Sequence, residues 1–171
     1  MLSLLHIENI AVIEQADISF DKGFNVLTGE TGAGKSIVID AISAILGQRA
    51  YRDMIRTGTN KASVRAVFTK VPNFPWFEEN GVEYDEETVI QRDVFLDGKN
   101  VCRVNGTLVT VAILHKLGIQ LINIHGQHDS ASLFDEENHL RFLDAFADNG
   151  ALLADYREKF AAVSELRRQI D

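Results

Sequence analysis

The sequence Gly29-Glu30-Thr31-Gly32-Ala33-Gly34-Lys35-Ser36 decides how the rest of the chain is interpreted. It has the form G-x-x-x-x-G-K-S and lies between an apolar run at residues 24–28 and a helical pattern that begins at Ile37. A strand, a glycine-rich loop and a helix in this order are typical of a phosphate-binding loop, which disfavours a chance match in an ordinary turn. Glycines let main-chain N–H groups approach a phosphate, and the helix adds the positive end of its dipole. The pattern predicts that Lys35 reaches the β- and γ-phosphates of a nucleotide and that the Ser36 hydroxyl binds Mg²⁺.

Composition points to one globular domain in a reducing compartment. The 171 residues are enough to bury a hydrophobic core. The only cysteine, Cys102, cannot pair within the chain. No Lys or Arg precedes Glu8, unlike a secretory signal, and no apolar run is long enough to span a bilayer. We therefore expect a cytoplasmic protein with no membrane partner.

Charge is unevenly distributed along the chain. The net charge of −8 opposes broad contact with nucleic-acid phosphates. Residues 49–70 nevertheless contain six basic residues and one acid, whereas residues 78–87 contain six acids and no base. We expect the acidic run to be a solvated loop. The basic stretch is either a solvated surface of opposite sign or a contact for phosphates.

Alternation of apolar and polar residues predicts an antiparallel sheet. Strands are expected at 2–9 and 11–20, paired around a corner, at 62–70, and at 88–96 and 99–104, joined by the hairpin turn Asp97-Gly98. Helices are expected at 37–46, closed by Gly47, and at 109–117, closed by Gly118, with one helical turn at 52–56. An aromatic cluster at 74–77 could stack on bases, but core packing is the more general use of large rings.

An apolar run at residues 119–124 is predicted to be a buried strand. It leads into His125-Gly126-Gln127-His128-Asp129, and in a phosphate-loop fold the ligand lies at that end of the sheet. A zinc site would need a further convergent ligand. His125 and His128 are therefore expected to hydrogen-bond and position the loop.

The chain ends in helical patterns. One is expected from residue 135 to 146 and another from 151 to the end, so we divide the chain at 1–150 and 151–171. Heptad spacing in the last helix is carried by Leu153, Tyr156, Phe160, Val163 and Ile170, with Arg167 interrupting it. The pattern is too short to separate the root of a coiled coil from a docked terminal helix.

A P-loop hydrolase also needs a Walker B carboxylate to help hold Mg²⁺, and no apolar strand after the loop ends in one. With strands before the loop and a helix at the end, this pattern resembles that of the amino-terminal half of an SMC-like ATPase head. Over essentially its whole length the chain resembles the amino-terminal part of the RecN family of bacterial DNA repair proteins. The resemblance rests on the opening at 4–9, the loop at 28–36, and the segments at 46–50, 55–58 and 124–128.

The resemblance implies an α/β P-loop NTPase of the ABC/SMC-head type, with an antiparallel β subdomain and a terminal helix that starts a coiled coil. ATP would be bound by Gly29, Glu30, Thr31, Gly32, Ala33, Gly34, Lys35, Ser36 and Ile37. Gln127 would contact Mg²⁺ and the attacking water, so Gln127 and Lys35 would both be catalytic residues. Arg56 falls where SMC-like heads keep an arginine that links DNA contact to ATP turnover. Residues 129–132 depart from the family pattern and receive no role.

The same resemblance implies three partners. They are the carboxy-terminal half of the head, which would supply the signature motif and Walker B, a second head joined through ATP, and DNA in the full-length protein. The expected activity is ATP hydrolysis in DNA double-strand break repair and recombination, in a nucleoid-associated cytoplasmic protein.

Two alternatives use the same loop. A small P-loop kinase that phosphorylates a metabolite would need a lid, for which the basic stretch 49–65 could serve. A nucleotide-gated interaction module would have no chemistry of its own. Phosphate transfer to a small molecule would indicate the first, and nucleotide-dependent dimerisation without an effect of DNA the second.

Overall fold

The computed structural model describes residues 1–29, 34–124, 139–140, 143–144 and 146–170. Internal contacts divide the chain into two units, Met1–Asn123 and Ile124–Asp171, and each is described by itself.

The first unit is built on a six-stranded sheet in the order β2-β1-β3-β4-β5-β6, with every neighbouring pair antiparallel. The strands are β1 (Leu2–Ile10), β2 (Ile13–Ser19), β3 (Lys61–Phe68), β4 (Thr88–Phe95), β5 (Asn100–Val104) and β6 (Thr107–Val109). The predicted strands β1 to β5 are confirmed, together with the hairpin at Asp97-Gly98. Strand β6 was not predicted, because it is short and its last residue was assigned to the following helix.

The α-helices among the described residues of this unit are α1 (Lys35–Ile45), α2 (Pro75–Glu79) and α3 (Val111–Leu121). Helix α1 packs on β1, β3 and β4, and α3 packs on β5. Thr110 caps α3, where its hydroxyl oxygen accepts a hydrogen bond from Ile113 N–H (3.2 Å). The predicted turn near residue 52 is a 3-10 helix, Arg52–Met54.

The core lies between one face of the sheet and these helices. Alternate residues along β3 and β4, including Ala66, Phe68 and Ile90, are buried, as the period of two in a half-buried strand requires. Trp76 and Phe77 are buried as well, with rings edge to face at 5.3 Å, and Trp76 Nε1 donates to Ile113 O (3.0 Å). Core packing of the aromatic cluster is therefore confirmed. The acids of residues 78–87 are exposed, as predicted.

The predicted strand at 24–28 is wrong, because these residues have no regular secondary structure. Phe24 is 94% exposed, and Val26 and Leu27 are 62% and 43% exposed. Asn25 instead holds a local turn, since its side chain accepts from Asp21 N–H (3.0 Å) and donates to Asp21 O (2.9 Å). A strand is stable only beside another strand, and none of the described strands pairs with this segment.

The predicted strand at 119–124 is also wrong, because α3 continues to Leu121 and the chain becomes extended only at Ile122. Gly118 does not end the helix, and Ile122 N–H donates to its carbonyl (3.2 Å). A Cβ atom at Gly118 would lie 2.2 Å from Leu46 O, so this glycine serves a close helix contact. A short apolar run does not by itself distinguish a helix end from a buried strand.

The second unit contains α4 (Gly150–Ile170), which confirms the predicted terminal helix. Leu152, Tyr156, Phe160, Val163 and Leu166 are exposed along it, and the rings of Tyr156 and Phe160 stack at 5.8 Å. Of the predicted helix 135–146, residues 139–140, 143–144 and 146 lie within the described ranges, and all are helical. None of the described helices is long and apolar enough to cross a membrane.

Candidate functional site: the phosphate loop and its helix

The amino-terminal end of α1 forms the described part of the predicted phosphate site. Gly34 precedes it with φ 115° and ψ −16°, a left-handed conformation that side chains disfavour. Val38 N–H donates to Gly34 O (3.0 Å), which is the first bond of the helix. The N–H groups before Val38 have no acceptor further back in the helix, so they suit an anion.

Lys35 lies across the first residue of the loop. Its Nζ donates to Gly29 O, so the last lysine and the first glycine of the motif are in contact. The ammonium group therefore lies next to the first residue of the loop in which it is predicted to bind phosphate. Its contact with β- and γ-phosphates stays a prediction.

The predicted Mg²⁺ ligands are Ser36 and Gln127. Ser36 is exposed in the first turn of α1, and its hydroxyl is the kind of oxygen ligand that Mg²⁺ accepts. Ile37, beside it, is half-buried. Gln127 and residues 30–33 lie outside the described residues, as do His125, His128 and Asp129. Within the described ranges, no group of three His, Cys, Asp or Glu side chains could hold a metal ion.

The other end of α1 is held by Arg92 of β4, a residue that none of the predictions from the sequence named. Its side chain is 2% exposed. Nη1 donates to Ala44 O (2.7 Å) and to Gln48 O (2.6 Å), at and just beyond the carboxyl end of the helix. Nε and Nη2 donate to Asn100 Oδ1 (3.1 and 2.9 Å). A helix leaves its last carbonyls unpaired and its carboxyl end partly negative, so a cation there satisfies both needs.

Burial shifts the pKa values of Arg92 and Cys102. It lowers the pKa of Arg92, and the nearby Cys102 opposes that shift. It raises the pKa of the Cys102 thiol, which Arg92 lowers and Asp93 raises further. The hydrogen bonds of Arg92 offset the cost of burying its charge. Cys102 is a protonated thiol at neutral pH, packed beside a cation.

Arg56 fastens the turn between β1 and β2. Its Nη1 donates to Val12 O (2.8 Å), and its main-chain N–H donates to Asn9 O (3.0 Å). Ala11, with φ 46°, adds a bond from its N–H to Met54 O (2.8 Å). The described contacts of Arg56 thus stabilise a turn, and its role in coupling to DNA stays a prediction.

Two other residues of the basic stretch also have partners. Arg52 Nη2 donates to Asp97 O (3.3 Å), and the Arg49 guanidinium lies 5.0 Å from the centre of the Tyr51 ring. This part of the stretch is engaged with the protein itself.

Fold and site together define a class of protein. The model of the AAA domain family matches residues 4–170, and the chain belongs to this family of ATPase domains. Among curated relatives, it is 44% identical to the DNA repair protein RecN of Bacillus subtilis and 35% identical to that of Haemophilus influenzae, in each case over 99% of the chain. The resemblance to RecN proteins is thereby confirmed. The chain spans about a third of the length of these relatives (31% and 32%).

Solved structures share the fold. The Smc head domain with an extended coiled coil from Pyrococcus furiosus, bound to the C-terminal domain of ScpA, matches with a TM-score of 0.68 at 24% identity. That match covers 98% of this chain and 46% of the other. Another match is a structure from work on the ATP-driven dimerization and DNA stimulated activation of SMC ATPases. Its TM-score is 0.62 at 23% identity, and the match covers 83% of this chain and 95% of that one. The predicted fold class, a P-loop head of the SMC type, is confirmed.

Proposed function

We propose that this chain is the ATP-binding half of an SMC-like ATPase head that acts in DNA double-strand break repair and recombination. In this proposal hydrolysis requires a carboxy-terminal half, with the signature motif and Walker B, and the association of two heads through ATP. The observation that carries it is the segment that leads into the phosphate loop. Phe24 and Val26 precede a nucleotide-binding motif yet lie exposed, without a strand beside them among the described residues.

That segment is suited to pair with another polypeptide. Exposed apolar side chains on a segment that pairs with none of the described strands favour strand addition, which would satisfy the backbone and bury the side chains together. The RecN relatives are about three times as long as this chain, so such proteins have further chain to supply strands. The carboxy-terminal half is the occupant that the resemblance implies.

ATP binding would use residues 29–37. The N–H groups of the first turn of α1 would bind phosphate oxygens, with the helix dipole favouring their charge. The Lys35 ammonium would exchange its contact with Gly29 O for the β- and γ-phosphates, which is a stronger, charge-assisted contact. Mg²⁺, held by Ser36 and Gln127, would neutralise charge on the phosphates. Gln127 would also orient the attacking water.

DNA enters the proposal through the relatives. RecN is named as a DNA repair protein, and the SMC work concerns DNA-stimulated ATPases. We assign Arg56 as the residue that couples DNA contact to turnover. A nucleoid-associated cytoplasmic location follows from this role.

Equilibrium binding of a fluorescent ATP analogue tests the nucleotide assignment. The 171-residue chain should bind the analogue with Mg²⁺ present, and Lys35→Ala should weaken binding by about 100-fold or more because it removes the main cation of the site. Asp40→Asn, an exposed substitution on the same helix, is the matched control and should retain affinity within about twofold. Equal affinity of the Lys35→Ala variant would contradict the assignment.

The same protein distinguishes the kinase alternative. We expect no transfer of phosphate from ATP to nucleosides or small alcohols, because the chain belongs to a family of ATPase domains. Transfer that Lys35→Ala abolishes would favour the kinase.

A further inference from the structure

We propose that Arg92 is a positioning residue for nucleotide binding: it fixes the carboxyl end of α1 and thereby sets where the phosphate-binding N–H groups at the other end stand. The inference rests on the proposed binding of nucleotide by residues 29–37. It adds a residue from outside the motif, on a strand that follows the loop by more than 50 residues.

The carboxyl end of α1 is held from two directions. On one side, Arg92 Nη1 bonds to Ala44 O and Gln48 O, at 2.7 and 2.6 Å. On the other, α3 approaches so closely that a Cβ at Gly47 would lie 2.5 Å from His115 N, and one at Gly118 would lie 2.2 Å from Leu46 O. Strand β4 and helix α3 thus both contact the main chain at the carboxyl end of α1.

At the amino-terminal end the described contacts are made by side chains: Val38 is buried in the first turn, and Lys35 Nζ donates to Gly29 O within the loop itself. Gly34 has open space where a Cβ would stand, and Ser36 is exposed. The main-chain contacts at the carboxyl end therefore help to set the direction of the helix, and with it the position of the first turn. An 11-residue helix is about 16 Å long, so a tilt of about 4° at the carboxyl end moves the first turn by about 1 Å.

A guanidinium suits this task better than another cation. Its planar fork reaches two carbonyls and the Asn100 oxygen at once, whereas an ammonium is a point charge on a flexible stem. Asn100 is itself held, since its Nδ2 donates to Gly98 O (3.1 Å). Arg92 therefore has a fixed direction, and through it α1 is tied to β4 and β5.

The next residue of β4 provides a matched control. Asp93 is buried to a similar degree, but it alternates to the opposite face of the sheet. There it accepts a hydrogen bond from Ser63 Oγ (2.7 Å) and lies 3.6 Å from Lys61 Nζ and from Arg103 Nη1. Neutralising Asp93 disturbs a buried polar group of the same sheet without touching α1.

The experiment compares Arg92→Met, Arg92→Lys, Asn100→Ala and Asp93→Asn in the intact protein. Affinity for a fluorescent ATP analogue is measured at a temperature where circular dichroism shows each variant folded, and hydrogen exchange is followed along α1. We expect Arg92→Met to weaken binding by about tenfold or more, since a shift of about 1 Å is costly at a preorganised site. Arg92→Lys and Asn100→Ala should weaken it by about threefold and speed exchange in α1. Asp93→Asn should lower the melting temperature yet keep affinity within about twofold.

Two results would overturn the inference. One is wild-type affinity for the ATP analogue in the folded Arg92→Lys and Asn100→Ala variants. These two variants also suffice for the test if Arg92→Met does not fold. The other is an equal loss of affinity in Asp93→Asn, since that would reflect stability alone. Lys35→Ala separates the two proposals. If this variant binds the analogue normally, the proposed nucleotide site is wrong. If it loses affinity while the Arg92 variants keep wild-type affinity, only the role of Arg92 is rejected.

Discussion

The packed sheet-and-helix unit and the segment that leads into the phosphate loop use the same kinds of side chain in opposite surroundings. Phe68 and Phe77 are each 1% exposed, whereas Phe24 is 94% exposed. The first two find partners in strands and helices of the same unit. Phe24 lies in the local turn that Asn25 holds, with no strand beside it among the described residues. The difference separates a core that this chain completes from a surface for which we propose a partner.

The largest effect expected is on the free energy of unfolding. Phe77→Ala removes a ring that contacts Trp76 and Tyr84 edge to face, both at 5.3 Å, and should destabilise the first unit by about 3–5 kcal/mol. Phe24→Ala is the matched control and should change the free energy by less than about 0.5 kcal/mol. Urea unfolding of the 171-residue chain measures both. Similar losses in the two variants would remove the distinction between the regions.

The second effect concerns association with the proposed carboxy-terminal half. Phe24→Ser combined with Leu27→Ser should weaken that association by about tenfold or more, because exposed apolar side chains become anchors once buried. Val12→Ser, which changes an exposed apolar residue at the β1–β2 turn, should have little effect. Titration calorimetry of the two separately made halves measures both constants. An unchanged constant in the double variant would place the interface elsewhere.

The third effect is on the turn between β1 and β2. Arg56→Gln removes the bond to Val12 O (2.8 Å) and should lower the free energy of unfolding by about 1 kcal/mol. Arg65→Gln changes an exposed arginine of β3 and serves as the control. Thermal unfolding of the chain gives both values. No difference between the variants would mean that Arg56 contributes nothing to the turn.

The smallest effect is the pH dependence due to Cys102. Because burial raises the pKa of this thiol in the folded state, its contribution to stability is present at neutral pH and is lost as pH rises past the ordinary thiol value of about 8.5. Urea unfolding between pH 7 and 10 should show this decline, and Cys102→Ala should reduce it. An alkaline decline of equal size in both proteins would assign it to other groups.

Periodic segments were predictable from the sequence, and segments that depend on neighbours were not. Strands β1 to β5 and helix α4 carry enough residues for their period to identify them. The runs at 24–28 and 119–124 are short and apolar, so their structure depends on what lies beside them. The first has no adjacent described strand, and the first three residues of the second continue α3, whose Gly118 packs closely on Leu46.

Part of the site was available from the same pattern. The loop motif identified Gly29, Lys35 and Ser36, and the first two are in contact. Arg92 left a signal that was overlooked: it occupies the buried register of β4, with Thr88 and Ile90 before it and Val94 after it. A charged residue in such a register requires buried acceptors. Two of its acceptors, however, are main-chain carbonyls more than 40 residues away, which no local pattern can indicate.

The rate of ATP hydrolysis with and without the carboxy-terminal half tests the central claim most directly. The 171-residue chain, saturated with ATP and Mg²⁺, should show negligible turnover alone, because the Walker B carboxylate and the second head would come from outside it. Adding the separately purified carboxy-terminal remainder should produce turnover that Lys35→Ala in this chain abolishes. Robust hydrolysis by the chain alone, lost in Lys35→Ala, would contradict the half-site account.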